Sequence, residues 1–406
     1  MTEVDVAIIG AGAAGLAAAR VLAATSLTCV VLEARDRIGG RAHTVGVGGL
    51  PLDLGCEWLH SADRNPLVAP IAALGLTIDK TPPPWMNPAN TDPVGRRAYG
   101  EAFAAFEARL EAAAATGEDA PAARFLEPGG RWNAMLNAFS AYYNGAEFDQ
   151  VSVLDYAAYD DSEVNWRVAQ GYGAGIAALT PAVRIVTGCP VGLLRHDGPR
   201  LALETPRGTL SARAAILCVP TAILAGGVLR LVPKLPDKLA AAQGLPLGLA
   251  DKVFLKLDEP DAFGIETLVQ GATDRTATGS YHLRPFGRPV IEAFFGGAHA
   301  RDLEAAGPSA MAACAIDELV AIHGSGLRQR VSVLAETAWA SDPWALGSYS
   351  HALPGHAGGR AVLAEPVDGR LFFAGEACSP HDFSTAHGAW ETGERAAREA
   401  VAALRR

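Results

Sequence analysis

The sequence predicts an α/β protein: a parallel sheet assembled from separated pieces of chain, with a mixed α+β domain formed by the segments between them. Three observations predict it. Residues 4–33 run apolar strand, glycine turn, alanine-rich helix and apolar strand. Short strand-like runs with glycine and proline turns return between Val183 and Val219. The end of the chain, Arg370 to Leu404, again reads strand, loop, helix.

In the first element Val6-Ala7-Ile8-Ile9 is the strand and Gly10-Ala11-Gly12-Ala13-Ala14-Gly15 the turn. Gly10 makes the bend, Gly12 lets a pyrophosphate reach the backbone, and Gly15 lets the helix press on the strand. Phosphates would then meet the positive end of a helix that continues to Leu22. Cys29-Val30-Val31-Leu32 is the second strand, closed by Glu33. A carboxylate there accepts from a pair of ribose hydroxyls and repels a 2′-phosphate, which disfavours NADP. The whole is a Rossmann-like dinucleotide site, although tight packing in an alanine- and glycine-rich chain gives a similar pattern. A basic, glycine-rich stretch follows directly: Ala34-Arg35-Asp36-Arg37-Ile38-Gly39-Gly40-Arg41. A solvated loop is the plain alternative for Arg35 and Arg37.

Further along, Leu67 to Leu74 is a short helix ending at Gly75, and Thr81-Pro82-Pro83-Pro84 is extended, because consecutive prolines cannot join a ladder. Phe103, Phe106 and Leu110 place a helix over 100–116, and another covers Trp132 to Tyr143. Gly171-Tyr172-Gly173-Ala174-Gly175 opens a helix that stops at Pro181, but no apolar strand feeds it, so no second dinucleotide site is expected. Strands are expected at 183–186, 191–195, 200–205, 208–211, 214–219, 249–257, 290–295 and 331–339, with a helix over 307–323. The resulting division puts 1–80, 177–243 and 342–406 in the nucleotide domain, and 81–176 and 244–341 in the second domain.

Composition limits the partners. The chain has 406 residues, 50% hydrophobic, and a formal charge of −10. It can bury a substantial core, and it lacks the basic face that nucleic acid or an anionic membrane requires. The cysteines at 29, 56, 189, 218, 314 and 378 form no C-x-x-C pair or metal-ligand group, which fits a reducing cytoplasm. Neither a leader-like start nor an apolar span near the length of a membrane helix is seen. A soluble cytoplasmic protein without metal is expected; oligomeric state is not legible.

The run Glu33 to Arg41 resembles the E-x-R-x-x-x-G-G-R signature of the flavin-containing amine oxidase family. At the other end Phe372-Phe373-Ala374-Gly375-Glu376, with Thr385-Ala386-His387-Gly388-Ala389, resembles that family's C-terminal flavin signature. Asp53-Leu54-Gly55-Cys56-Glu57-Trp58-Leu59-His60 and Trp339 through Gly347-Ser348-Tyr349 look most like its polyamine oxidase branch. The resemblance implies a discontinuous Rossmann-like FAD-binding domain and a mixed α+β substrate-binding domain. It implies oxidation of a polyamine-like or bulky primary or secondary amine, with O2 as acceptor and imine or aldehyde and H2O2 as products.

By the same resemblance Arg35 approaches the adenosine half, and Gly39, Gly40 and Arg41 line the diphosphate and flavin linkage. Gly55, Cys56, Glu57, Trp58, Val191, Trp339 and Gly375 contact the cofactor. Glu376 bonds the ribityl or diphosphate region, since a carboxylate after a buried strand otherwise lacks a partner. Free amides at Gly388 and Ala389 face the negative charge of the reduced flavin. Ser348 stands where the monoamine oxidase branch attaches flavin through cysteine, so FAD is expected to bind non-covalently. Tyr349 forms one aromatic wall and Thr385 the gap opposite it. Lys252 would hold a water for reoxidation, His60 would meet the substrate amine, and Glu57 would attract an ammonium or pack on flavin. Competing readings are an L-amino-acid oxidase or desaturase of the same fold, with Arg167 or Arg284 gripping carboxylate, and a flavin-binding scaffold without turnover.

Overall fold

In the computed structural model, which describes residues 2–86 and 88–405, the first strand, Thr2–Ile9, lies at the centre of a sheet. Cys29–Leu32 and then Arg184–Val186 pair in parallel on one side of it. Gly208–Leu217 pairs in parallel on the other side and carries Leu371–Phe373, also parallel, on its outer edge. The N-terminal half of Gly208–Leu217 continues antiparallel into Leu201–Thr205 and Leu193–Arg195, and Arg230–Val232 closes that edge. Strands from three distant parts of the chain thus build one sheet, as an α/β fold assembled from pieces requires. Val6, Ile8 and Ile216 bury one face, while Ala7, Ile9 and Leu217 bury the other. The strands therefore read as unbroken apolar runs.

The first helix, Ala13–Ala23, and the last, Ala386–Leu404, pack together on this sheet. Their approach is set by backbone contact: a Cβ at Gly393 would lie 2.0 Å from the carbonyl oxygen of Ala14. Both ends of the chain are brought to one place by that contact.

A second sheet is antiparallel, in the order Thr267–Gln270, Ser280–Leu283, Val290–Gly296, Ala250–Leu257, Val331–Glu336. Val253, Leu255 and Phe295 bury one face under the helix Ala310–His323. The alternate residues Lys252 and Phe254 face the other way, and Lys256, on the same side, reaches solvent and pairs with Asp258 at 2.8 Å. Helices Pro93–Ala115, Asn133–Tyr143 and Val153–Ala158 form a separate core around Phe106, Leu110, Leu136 and Phe148.

Several bounds differ from expectation. The helix expected at 100–116 begins at Pro93, because Asp92 caps it by accepting from Val94 and Gly95 amides at 2.9 Å. The runs 208–211 and 214–219 are one strand, Gly208–Leu217, and Val191 precedes the strand Leu193–Arg195 rather than starting it. The strand expected to reach Trp339 stops at Glu336, and Gly307, at φ +101°, precedes rather than joins the helix Ala310–His323. A short strand, Trp166–Val168, does precede Gly171; it pairs with Trp58–Leu59 and Ile78–Asp79. The helix end that follows is filled by Asp53, which accepts from the amides of Tyr172 at 2.8 Å and Gly173 at 3.2 Å, so no phosphate is needed there.

Candidate active site

The glycine motif folds as a cradle. Gly10 takes φ +101°, and a Cβ on Gly15 would lie 1.9 Å from the Gly10 carbonyl oxygen, so helix and turn touch through backbone alone. The second glycine loop lies against the first: Gly39 donates its amide to the Ala11 carbonyl at 2.8 Å, and Gly40 faces the Gly12 Cα. Arg37 holds this loop by donating to the Gly40 carbonyl at 2.8 Å. A Cβ on Gly12 would meet nothing nearer than 3.9 Å, and one on Gly375 would meet nothing within 4 Å. Those two glycines, one at each end of the chain, border open space that a ligand can fill.

Glu33 is buried, with one carboxylate oxygen accepting from Ala11 at 2.6 Å and the other from Arg35 at 2.8 Å. Each oxygen keeps a lone pair for a ribose hydroxyl. Ala34 is half-buried beside it. The Glu33 carbonyl receives the Cys189 amide at 2.8 Å, which brings Val191 alongside. Val191 and Trp344 line a cleft of about 380 Å³ with Val228 and Glu204. The donor set, the glycine cradle and the buried acid fit a dinucleotide such as FAD.

The geometry gives several of the expected site residues protein partners that the sequence did not show. Arg35 does not point free toward an adenosine; its guanidinium is bound to Asp342 at 2.6 Å. Glu376 has protein partners that account for its burial: Arg41 at 2.9 Å, the Ser350 hydroxyl at 2.6 Å and the Ser384 amide at 3.1 Å. Despite burial, the Arg41 and Arg360 guanidinium groups and the Ser350 hydroxyl hold its carboxyl below the usual range. Thr385 is not a free side of a substrate gap: its hydroxyl accepts from Gly388 at 3.0 Å and caps the last helix. Gly388 is therefore spent, as is Ala389, whose amide meets the Thr385 carbonyl at 3.1 Å.

Glu57 offers no free anion to an ammonium, because it lies 3.1 Å from the Lys252 ammonium and 3.8 Å from Arg167. Lys252, in turn, has three donors and three protein acceptors: Glu292 at 2.7 Å, Glu57 at 3.1 Å and the Asp53 carbonyl at 3.2 Å. To hold a water it must release one of them.

The remaining residues converge. Arg41 donates to the Ser348 carbonyl as well as Glu376. A Cβ on Gly55 would lie 1.7 Å from the Arg41 carbonyl oxygen, which also receives the Cys56 amide at 3.2 Å. Trp339 donates its indole N–H to the Leu54 carbonyl at 3.1 Å, and the Cys56 thiol is pushed up by burial. The Arg167 guanidinium lies over the Trp58 ring, 4.7 Å from its centre. The Tyr349 hydroxyl donates to the Tyr142 carbonyl, which fixes the ring. His60 is hydrogen-bonded through Nδ1 to Asn165 at 2.6 Å, and burial lowers its pKa, so the ring is neutral near pH 7. Ser348 exchanges hydrogen bonds with the backbone of Ala250, both 2.8 Å long.

Sequence reasoning did not single out Glu292, nor Arg360, which forms a buried two-point pair with Asp155 at 2.6 and 2.8 Å. A charged residue inside the apolar run Val290–Gly296 was the available signal, since a buried charge requires a partner.

A two-loop glycine cradle with a buried acid at its edge defines a dinucleotide-binding protein. Residues 13–155 and 101–401 match the family described as flavin containing amine oxidoreductase. Polyamine oxidase 2 of Arabidopsis thaliana is 29% identical, covering 97% of this chain and 87% of its own. Polyamine oxidase 3 of Oryza sativa subsp. japonica is 31% identical, covering 97% and 88%. A solved structure of a putrescine oxidase redesigned in cofactor binding shares the fold, with TM-score 0.79 over 99% of both chains at 20% identity. The chain belongs to the flavin-containing amine oxidoreductase family and is an FAD-dependent amine oxidase, acting on small-molecule amines with O2.

Proposed function

We propose that the substrate is a polyamine-like amine, oxidised at the carbon beside nitrogen to an imine that hydrolyses to an aldehyde, with O2 reduced to H2O2. FAD, when bound, would supply the two-electron oxidation. The observation that carries the substrate class is a cluster of aromatic rings with acids among them. Tyr143 lies 5.9 Å from Tyr156 and 5.6 Å from Tyr159, and Tyr159 lies 5.3 Å from Phe383. Glu107 and Asp161 act on the same hydroxyls, and burial together with Glu111 and Glu163 raises the Glu107 carboxyl. Rings and acids together favour an extended cationic chain. His60, neutral and near Asp161, suits the uncharged amine that must be oxidised.

An amino-acid oxidase would need an arginine for the substrate carboxylate. Arg167 is instead met by Glu266 at 2.7 Å and Asp79 at 2.9 Å, and Arg284 by Asp261 at 3.1 Å. A cytoplasmic location is part of the proposal, supported by six unpaired cysteines. Among the described residues no helix is long and apolar enough to cross a membrane.

The test is peroxide release across a panel of polyamines, diamines, monoamines and amino acids. Turnover of amino acids alone would replace this reading, and no turnover of any reducing substrate would favour a scaffold.

A further inference from the structure

Glu57, Lys252 and Glu292 are packed together with side chains 9%, 7% and 9% exposed. One ammonium stands among two carboxylates, and the nearest guanidinium, Arg167, is already met by Glu266 and Asp79, so a surplus of negative charge is left in a buried site. Such a charge is costly, and the group relieves it by keeping a proton on one carboxyl.

The surroundings say which carboxyl. Glu57 has a second cation, Arg167, at 3.8 Å. Glu292 faces Phe254 on one neighbouring strand and His282 on the other, and His282 is turned to Glu266 at 2.7 Å. Asp53 stands close to Glu57 and Lys252 but spends its carboxylate on two amides and the Thr44 hydroxyl. Arg288 lines the same small cavity as Asp53, Glu57 and Glu292. Burial and the neighbouring Glu57 charge push the Glu292 carboxyl up to about 8. For Glu57 burial is outweighed by Lys252, Glu292 and Arg167, which hold it to about 2.

We propose that Glu292 is a positioning residue that keeps a transferable proton beside Lys252 for the reduction of dioxygen. The inference rests on the oxidase reading above and on the resemblance that puts Lys252 beside the flavin. Dioxygen takes two electrons from the reduced cofactor and needs two protons to leave as hydrogen peroxide. One would come with the reduced cofactor. The second would come from a Lys252 N–H bond freed from the Asp53 carbonyl, the longest of its three contacts at 3.2 Å; that bond re-forms as the Glu292 O–H bond breaks, leaving Glu292 ionised. The cavity of about 20 Å³ between Glu57, Glu292 and Arg288 has room for a single water, through which bulk solvent returns the proton to Glu292.

Two measurements test this, and neither needs an amine. In the holoenzyme, an infrared titration with carboxyl-labelled glutamate is expected to show a protonated carboxyl lost as pH rises through about 8. That band should be absent in Glu292→Gln. It should move to lower pH in Glu57→Gln, where the repelling charge is gone. In stopped flow, photochemically reduced holoenzyme is mixed with O2. Reoxidation of the native protein should slow above that pH. Glu292→Gln should be slower by roughly ten- to a hundredfold at pH 7, with a flat profile, and Glu292→Asp should restore part of the rate. A native protein with no glutamate carboxyl titrating in that range, or a Glu292→Gln profile that still breaks at the native pH, overturns the proposal. Either result leaves the amine panel as an independent test of the oxidase reading.

Discussion

Arg41 and Glu376 lie 335 positions apart and meet at 2.9 Å, tying the second glycine loop to the loop before the last helix. Glu376→Gln keeps the shape and removes the charge, leaving the guanidinium without its counterion. FAD affinity should fall by roughly ten- to a hundredfold, the effect of about 1.5–3 kcal/mol from a charge-assisted hydrogen bond. Titration of the apoprotein by flavin fluorescence measures it. Unchanged affinity would separate this ion pair from the cofactor site.

Two glycines of the same chain should respond oppositely to alanine. Gly393→Ala drives a methyl into the Ala14 carbonyl at 2.0 Å, where only separation of the two helices relieves it. A loss of about 1–3 kcal/mol is expected, with weaker cofactor retention. Gly100 is exposed within Pro93–Ala115 and its Cβ would meet nothing within 4 Å. Gly100→Ala should stabilise by about 0.5–1 kcal/mol, since alanine is the better helix former. Thermal unfolding of both variants decides the matter.

Those two glycines also show what was legible. Where backbone must touch backbone, as at Gly10 and Gly15, the requirement is written in the sequence as glycine at fixed spacing, and the nucleotide end could be read directly. Side-chain roles were harder, because one residue type serves several ends. Thr385 before Ala386-His387-Gly388 suits a helix cap as well as a pocket wall, and the three-residue offset to Gly388 favours the cap. Glu292 occurs in an apolar run that period-two alternation describes as an ordinary strand; its partners Lys252 and Glu57 are brought to it only by sheet pairing and a distant loop. The start at Pro93 was marked by Asp92-Pro93, but the apolar periodicity that shows a helix begins only at Phe103.

Acid should destabilise the protein through histidines buried in neutral form. His351 is held down to about 4 by burial and by the cations Arg360 and Arg301, and His43 to about 4 by burial, Arg37 and Arg35. Unfolding returns each to the ordinary value near 6.5, so between about 6.5 and 4 the unfolded chain binds more protons and stability falls with pH. Melting temperatures measured from pH 7 to 4 should decline, and His351→Gln should flatten part of the decline. An unchanged slope in that variant would show that His351 is not among the groups taking up protons.

Ser348 leaves the flavin no thiol to attach to at this position, and its hydroxyl is spent on the Ala250 backbone. After acid precipitation the yellow colour should remain in the supernatant. Flavin retained on the washed polypeptide would require a covalent link elsewhere.

Lys252 is the sole ammonium between Glu57 and Glu292, so its removal should cost more than the loss of one contact. In Lys252→Met two buried carboxyls face each other without it, and a stability loss of about 3–5 kcal/mol is expected. Adding Glu292→Gln removes one of those carboxyls, and the double variant should recover part of the loss. The two substitutions are then strongly non-additive, as expected for groups sharing one network. The pH dependence gives a second signature: the single variant should gain stability as pH falls and its carboxyls take up protons, while the double variant should gain less. Urea unfolding at several pH values measures both effects. Additive free energies would mean that Lys252 and Glu292 do not depend on each other, despite the 2.7 Å between them.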